Sequence, residues 1–426
     1  MKSFLRNIVL YVLKWLAKRR LNNFKGKIIA VTGSIGKTST KEAIFKVLNS
    51  NFKVKRSKKS MNSEFGLLLT ILDVDTGFSS APKWTYNLFK AFIHSFIKDH
   101  SDVLLLEMGV DKPGDMDFLL SIVKPDVAVF TNVSTVHMAE GQFKTLEDVF
   151  EEKLKLTLAV KEGGTILLNL DDELVQTLCK RCPKRRVLSY GKNKDANYKI
   201  SNVKNDIDGV SFALENKDNK YQIDSSILGE HQAYVLTPAF IIGQLFEIPV
   251  ENILDSLKRY YLPPGRMSVI EGADGEKIID SSYNSSPEAL IESLKLLSQI
   301  SKPTNRKVAV LGQMNELGEQ SVELHKSVGE IVPKHADILI AVAGDSKYFA
   351  ESAKDKGMNE KNIYICKNVK EAIDVYKEIV SINDILLVKG SQNKVRLERF
   401  VKEFMAFPED SHKILARQEK TWLKKL

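Results

Sequence analysis

Cysteine is nearly missing from these 426 residues: Cys179, Cys182 and Cys366 are the whole supply, an odd and sparse set that speaks against a disulfide framework and for a reducing compartment. Cys179 and Cys182 form a lone CxxC flanked by Lys180, Arg181 and Pro183, with no second pair to complete a zinc site, so reduced thiols are the plain reading. Aromatic residues make up only 8% of the chain, and no module of aromatics interleaved with basic residues is visible, which sets nucleic-acid binding aside. No apolar run is long enough to cross a bilayer comfortably. Internal repeats and low-complexity tracts are absent as well.

What is present is an ordinary globular balance, 43% apolar and 27% charged, on a chain long enough for two or three domains. The formal net charge of +9 suits a nucleic acid, an anionic membrane surface or an anionic small substrate, and charge alone does not choose among them. In the first twenty residues Phe4, Leu5, Ile8, Val9, Val12, Leu13 and Leu16 recur at helical spacing, with Arg6, Lys14 and Lys18 to Arg20 among and after them. Lys14 interrupts the run and no small-residue cleavage site follows. Two readings stay open: a basic amphipathic helix resting on the inner membrane face, and a helix packed on the protein.

From Lys27 onward short apolar runs alternate with amphipathic stretches, which predicts an α/β fold with a parallel sheet covered by helices. Strands are expected at Lys27 to Val31, Val103 to Leu106, Val127 to Phe130 and Thr165 to Asn169, and an antiparallel insert over 192–226. A helix from Val250 to Tyr261 is ended by Leu262-Pro263-Pro264-Gly265, where the domain boundary is placed. Beyond it, strands at Lys277 to Asp280, Val308 to Leu311, Ile338 to Val342 and Ile385 to Val388 predict a second, smaller doubly wound, Rossmann-like domain. The expected division is an N-terminal helix over 1–25, a central P-loop-type ATP-binding domain over 26–262 and a C-terminal domain over 263–426.

The sharpest local signal is Thr32-Gly33-Ser34-Ile35-Gly36-Lys37-Thr38-Ser39, lying between an apolar strand and a helix that carries Ala43, Ile44, Val47 and Leu48 on one face. Glycines let the backbone fold around phosphate oxygens, and the helix N-terminus aims free N–H groups at them. Lys37 supplies a cation for the outer phosphates, and Thr38 a hydroxyl for magnesium. Glu107, at the end of its strand, brings a carboxylate within reach of that metal. The general P-loop has a glycine where this chain has Val31.

The string from Thr32 to Glu42 resembles the nucleotide loop of the Mur ligase family, and the resemblance runs with gaps from about Ile28 to Glu398. It is most similar to the members that add D-alanyl-D-alanine to a muramoyl tripeptide. The resemblance implies that Glu107 is a metal ligand, that His137 helps hold a second magnesium, and that Lys153 becomes carbamylated and so turns into an anionic ligand, with Lys155 as the fallback. It places Asn62, Ser63 and Gly66 in a loop facing the reacting carboxylate, and gives Arg266, Asp280, Tyr283 and Asn284 to the nucleotide. His325, Lys389 and Ser391 then fall at contacts for phosphate or the incoming amine.

The implied chemistry is amide synthesis with ATP and magnesium: a muramoyl-peptide-like carboxylate takes the terminal phosphoryl group, and an amino acid or dipeptide amine displaces it. The implied place is peptidoglycan precursor synthesis, in the cytoplasm, by a monomer. The family's N-terminal uridine-nucleotide domain is not seen ahead of the phosphate loop, and residues 77–100, with Trp84, Tyr86, Phe89, Phe92 and Phe96, either compensate for it or are helix core. The family asparagine near adenine falls at Gln232 or Val235, its aspartate after Leu-Gly is Gln313, and its arginine after Lys-Gly-Ser is Gln392. Two other classes stay open: an amide ligase like folylpolyglutamate or cyanophycin synthetases, and a nucleotide-binding scaffold at the membrane.

Overall fold

The computed structural model describes residues 2–57, 64–77, 81–134, 143–182, 185–315, 317–391, 395–418 and 422; Asn62, Ser63, His137 and Gln392 lie outside them. Two compact units emerge, one formed by Met1–Val203, Ser211–Asp224 and His231–Tyr260, the other by Lys204–Val210, Ser225–Glu230 and Tyr261–Leu426.

The first unit is built on β1 (Lys27–Thr32), β2 (Val54–Arg56), β3 (Val103–Glu107), β4 (Val127–Phe130), β5 (Thr165–Asn169) and β6 (Arg186–Gly191). These pair in parallel in the order β2-β3-β1-β4-β5-β6. Every residue of β3, β4 and β5 is buried, as expected of strands covered on both faces. β7 (Tyr198–Asp206), β8 (Gly209–Glu215) and β9 (Lys220–Ser225) extend the sheet, and their short connecting turns require antiparallel neighbours. The anticipated insert is thus part of the same sheet, joined to it by a parallel contact between β6 and β7.

Helix α1 (Lys2–Asn22) sinks Leu13, Leu16 and Ala17 into the core but leaves Ile8, Tyr11, Val12 and Trp15 outside, so its apolar residues serve two faces. α2 (Lys37–Leu48) buries Ala43, Ile44, Val47 and Leu48 completely. α3 (Glu64–Leu72) and α4 (Ala81–Phe96) pack on α1, with Trp84 of α4 edge-on to Phe65 at 5.7 Å. The helix-core reading of Tyr86, Phe89, Phe92 and Phe96 is overturned: all four are exposed. α5 (Asp115–Leu120) and α6 (Leu146–Leu158) follow, α6 opened by a capping box in which Thr145 and Asp148 satisfy each other's backbone N–H groups. The last helices of this unit are α7 (Gln232–Leu245) and α8 (Val250–Lys258), the latter ending before the anticipated Tyr261.

The second unit holds a six-stranded sheet: β10 (Ser268–Glu271), β11 (Lys277–Ser281), β12 (Arg306–Gly312), β13 (Ile338–Val342), β14 (Ile363–Cys366) and β15 (Asp384–Lys389), in the order β10-β11-β15-β12-β13-β14. Only the β10–β11 pair is antiparallel. Separate apolar clusters fill the two faces, one around Leu294 and Leu297, the other around Tyr376 and Phe400, giving the anticipated doubly wound layers.

Candidate functional site

The phosphate loop lies where β1 ends between β3 and β4, the place where an open parallel sheet offers a crevice. Gly33 (φ 139°) and Gly36 (φ 83°) adopt backbone angles that other residues reach at a cost. A Cβ on Gly33 would stand 2.0 Å from Thr131 Oγ1. The segment after β4 braces the loop: Ser34 N donates to Asn132 O (2.8 Å), Ile35 N to Asn132 Oδ1 (2.8 Å), Thr131 Oγ1 to Ile35 O (2.8 Å) and Ser134 N to Ser34 Oγ (2.9 Å). Sequence reading singled out that segment only for His137. The bracing role follows from the register of β4 beside β1, which the local sequence pattern does not reveal.

Lys37 Nζ bends back to Ser34 O at 2.9 Å; burial lowers its pKa, against the opposing charges of Glu107 and Asp111. Thr38 Oγ1 donates to Glu107 Oε1 at 3.0 Å, and Glu107 is buried. A hydroxyl and a carboxylate side by side are the hard oxygen donors that magnesium takes, together with substrate phosphates, so Thr38 and Glu107 fit the ion. The other carboxylate oxygen of Glu107 lies 3.5 Å from Nζ of the buried Lys41, which also donates to Ser57 O at 2.9 Å. Lys41 was not anticipated from sequence.

Of the two candidate lysines on α6, Lys153 is buried and near enough to Lys37 to feel its charge, while Lys155 turns away into ion pairs with Asp117 (2.6 Å) and Glu152 (2.7 Å). Burial first and Lys37 second push the Lys153 ammonium down to about 8, with Asp111 and Glu152 opposing. Glu152 is itself committed, accepting from Gly114 N (3.1 Å) and Met116 N (2.8 Å), which fixes α6 against the start of α5.

In the second unit the anticipated residues gather at the carboxyl ends of β11 and β15, where Ser281 and Lys389 are register partners. Lys389 is buried, its ammonium lowered to about 8 by burial, and it donates to Ser281 Oγ (3.1 Å) and Asn284 O (3.0 Å). Ser391 Oγ donates to Ser285 O (3.1 Å) and accepts from Asn315 N (2.9 Å). Asp280 accepts from Ser282 N (3.0 Å), while its Oδ2 has no hydrogen-bond partner among the described residues, and burial raises its carboxyl to about 6. Tyr283 is flanked by the guanidinium groups of Arg266 (4.9 Å) and Arg417 (5.3 Å).

His325 departs from its anticipated role as a direct contact. It is fully buried, Nε2 accepts from Met314 N (3.0 Å), and Nδ1 lies 2.7 Å from Ser321 O, so a neutral ring with its proton on Nδ1 fixes the Met314 turn. Burial lowers its pKa, in keeping with that neutral form.

Two family models cover most of the chain, the Mur ligase middle domain over residues 31–243 and the Mur ligase glutamate ligase domain over 265–392. The chain belongs to the Mur ligase family. Among curated Mur ligases it is 28% identical to the UDP-N-acetylmuramoyl-tripeptide–D-alanyl-D-alanine ligase of Bacillus subtilis, over 94% of this chain and 80% of that one. The enzyme of the same name from Rickettsia prowazekii is 27% identical, over 94% and 83%. The crystal structure of MurF from Thermotoga maritima in complex with ADP superposes with a TM-score of 0.69 at 27% identity, covering 95% of this chain and 84% of that one. A MurF structure from Acinetobacter baumannii gives 0.76 at 21% identity, covering 93% and 80%, a likeness of fold.

Proposed function

We propose that this Mur ligase is an ATP-dependent carboxylate–amine ligase that joins D-alanyl-D-alanine to a muramoyl-peptide carboxylate in peptidoglycan precursor synthesis. The observation that carries this reading is the loop of Gly33 to Ser39 with Thr38 set against the buried Glu107 and Lys153 brought beside Lys37. The names borne by the Bacillus and Rickettsia relatives supply the substrate pair. We place the enzyme in the cytoplasm as a monomer, with α1 touching the inner membrane.

Backbone N–H groups of the loop and of the α2 N-terminus receive the phosphates, and Lys37 offsets the charge of the outer ones. Magnesium, when bound, neutralises the triphosphate so that an anionic carboxylate can approach. Thr38, Glu107, His137 and a carbamylated Lys153 are assigned to hold it, and Asn62 and Ser63 to face the acceptor. Arg266, Asp280, Tyr283 and Asn284 are assigned to the nucleotide, Lys389 and Ser391 to the phosphate or amine, and His325 to positioning. The carboxylate oxygen attacks the γ phosphorus and ADP leaves. The amine nitrogen then attacks the acyl carbon, phosphate departs, and the nitrogen gives up a proton.

The test is incubation with muramoyl tripeptide, D-alanyl-D-alanine and ATP, scored by mass spectrometry and by ADP. One new amide per ADP is expected, and Lys37→Ala lowers the rate on the order of 10²-fold or more. ATP turnover with no new amide would overturn the ligase reading in favour of a scaffold, and turnover only with other amines would reassign the donor.

A further inference from the structure

More than half of the large apolar side chains exposed among the described residues sit on α1, on α4 and at Ile97 just after it. On α4 they run along one stripe, with Tyr86 65% and Phe89 64% exposed and Ile93 and Phe96 continuing the line. On α1 the outer stripe carries Tyr11 at 74% and Trp15 at 53% exposure. The two helices pack together, and the Arg19 guanidinium of α1 lies 3.9 Å over the Phe96 ring of α4, so the stripes join edge to edge.

Neither helix contains an aspartate or glutamate. Lys18 and Arg19 continue the α1 stripe at its C-terminal end, and Lys83 and Lys90 flank the α4 stripe. We propose that α1 and α4 form a single lipid-facing surface that seats the chain on an anionic bilayer. The geometry suits a peripheral seat: among the described residues no helix is long and apolar enough to cross a membrane. Tryptophan and tyrosine rings partition to the headgroup level, and lysine stems lie along apolar surface while their ammonium groups reach outward. A second copy of the chain is a poorer occupant. A two-fold contact would set these same cations against each other with no carboxylate on either helix to balance them, whereas anionic headgroups balance them all.

The surface rests on the reading that α1 touches the membrane and extends it to α4; it stands apart from the ligase chemistry, so vesicle results and ADP formation succeed or fail separately. The full chain is sedimented with vesicles of phosphatidylcholine alone and of phosphatidylcholine with phosphatidylglycerol. Binding is expected only to the second, weakening as salt rises. The exposed double variant Tyr86→Ser/Phe89→Ser, with an unchanged melting temperature, should bind about tenfold or more weakly, as should Lys18→Glu/Arg19→Glu. Absence of wild-type binding removes the membrane altogether. Binding that survives Tyr86→Ser/Phe89→Ser but falls with Lys18→Glu/Arg19→Glu leaves the α1 contact and removes the shared surface. A dimer in sedimentation velocity that Tyr86→Ser/Phe89→Ser dissociates would give the face to a second copy and overturn the proposal.

Discussion

Lys153 shows how one buried amine can be both a burden and a tool. Its folded pKa of about 8 lies below the ordinary 10.5, so between those values the unfolded chain holds a proton the folded one has released, and stability rises with pH across that window. The same shift supplies neutral amine near physiological pH. Addition of carbon dioxide to that nitrogen, with loss of a proton, would leave the carbamate proposed above. ADP formation in bicarbonate buffer is therefore expected to climb as pH approaches 8, and Lys153→Arg, which cannot be carbamylated, to lower the rate on the order of 10²-fold. A flat profile with an active Lys153→Arg would remove the carbamate. Asp280 carries the opposite sign: its carboxyl is raised from 3.8 to about 6 by burial, Glu398 adding and Arg417 opposing, so the stability it lends below 3.8 is lost as pH rises through about 6. Asp280→Asn should gain about 1–3 kcal/mol at pH 7 and flatten the pH dependence of urea unfolding between 4 and 6, while ADP affinity falls.

At the scale of elements, buried apolar runs made most of the sheet legible: β1, β3, β4, β5 and β13 stand within a residue of expectation because strands covered on both faces leave little ambiguity. The phosphate loop was legible for a different reason, since the glycines and Lys37 sit at fixed offsets within one turn. The aromatics of α4 were harder, because helical periodicity reports that a face is apolar and is silent on what covers it. Asn132, Lys41 and Glu152 were missed because each acts through a partner more than ten residues away, a distance at which local pattern carries no signal. Gly209 marks the tight turn between β7 and β8; its φ is 129°, and an added Cβ would lie 2.0 Å from Ser225 O. Gly209→Ala is expected to cost at least ~1–3 kcal/mol, read from chemical denaturation, with the loop of β1 left intact.

At the scale of the whole molecule, each unit has its own way of fixing distant segments. In the second, Glu398 lies fully buried between Arg396 and Arg417, both in left-handed backbone, with Arg417 Nη1 at 3.1 Å and also donating to Ser282 O at 3.2 Å. Through Arg417 the C-terminal segment holds the Tyr283 turn, a link between residues 134 positions apart. Glu398→Gln would remove the carboxylate that the two guanidinium groups share, and should destabilise this unit by about 3–5 kcal/mol, seen as an early step in unfolding followed by ADP protection.

The two-sided helix at the start of the chain has a practical corollary. Trimming its first two dozen residues would uncover the apolar surface that Leu13, Leu16 and Ala17 cover, and is expected to yield aggregate instead of a soluble protein. The outer face of that helix can therefore be repainted by substitution without disturbing the fold, whereas shortening the helix strips away part of the core.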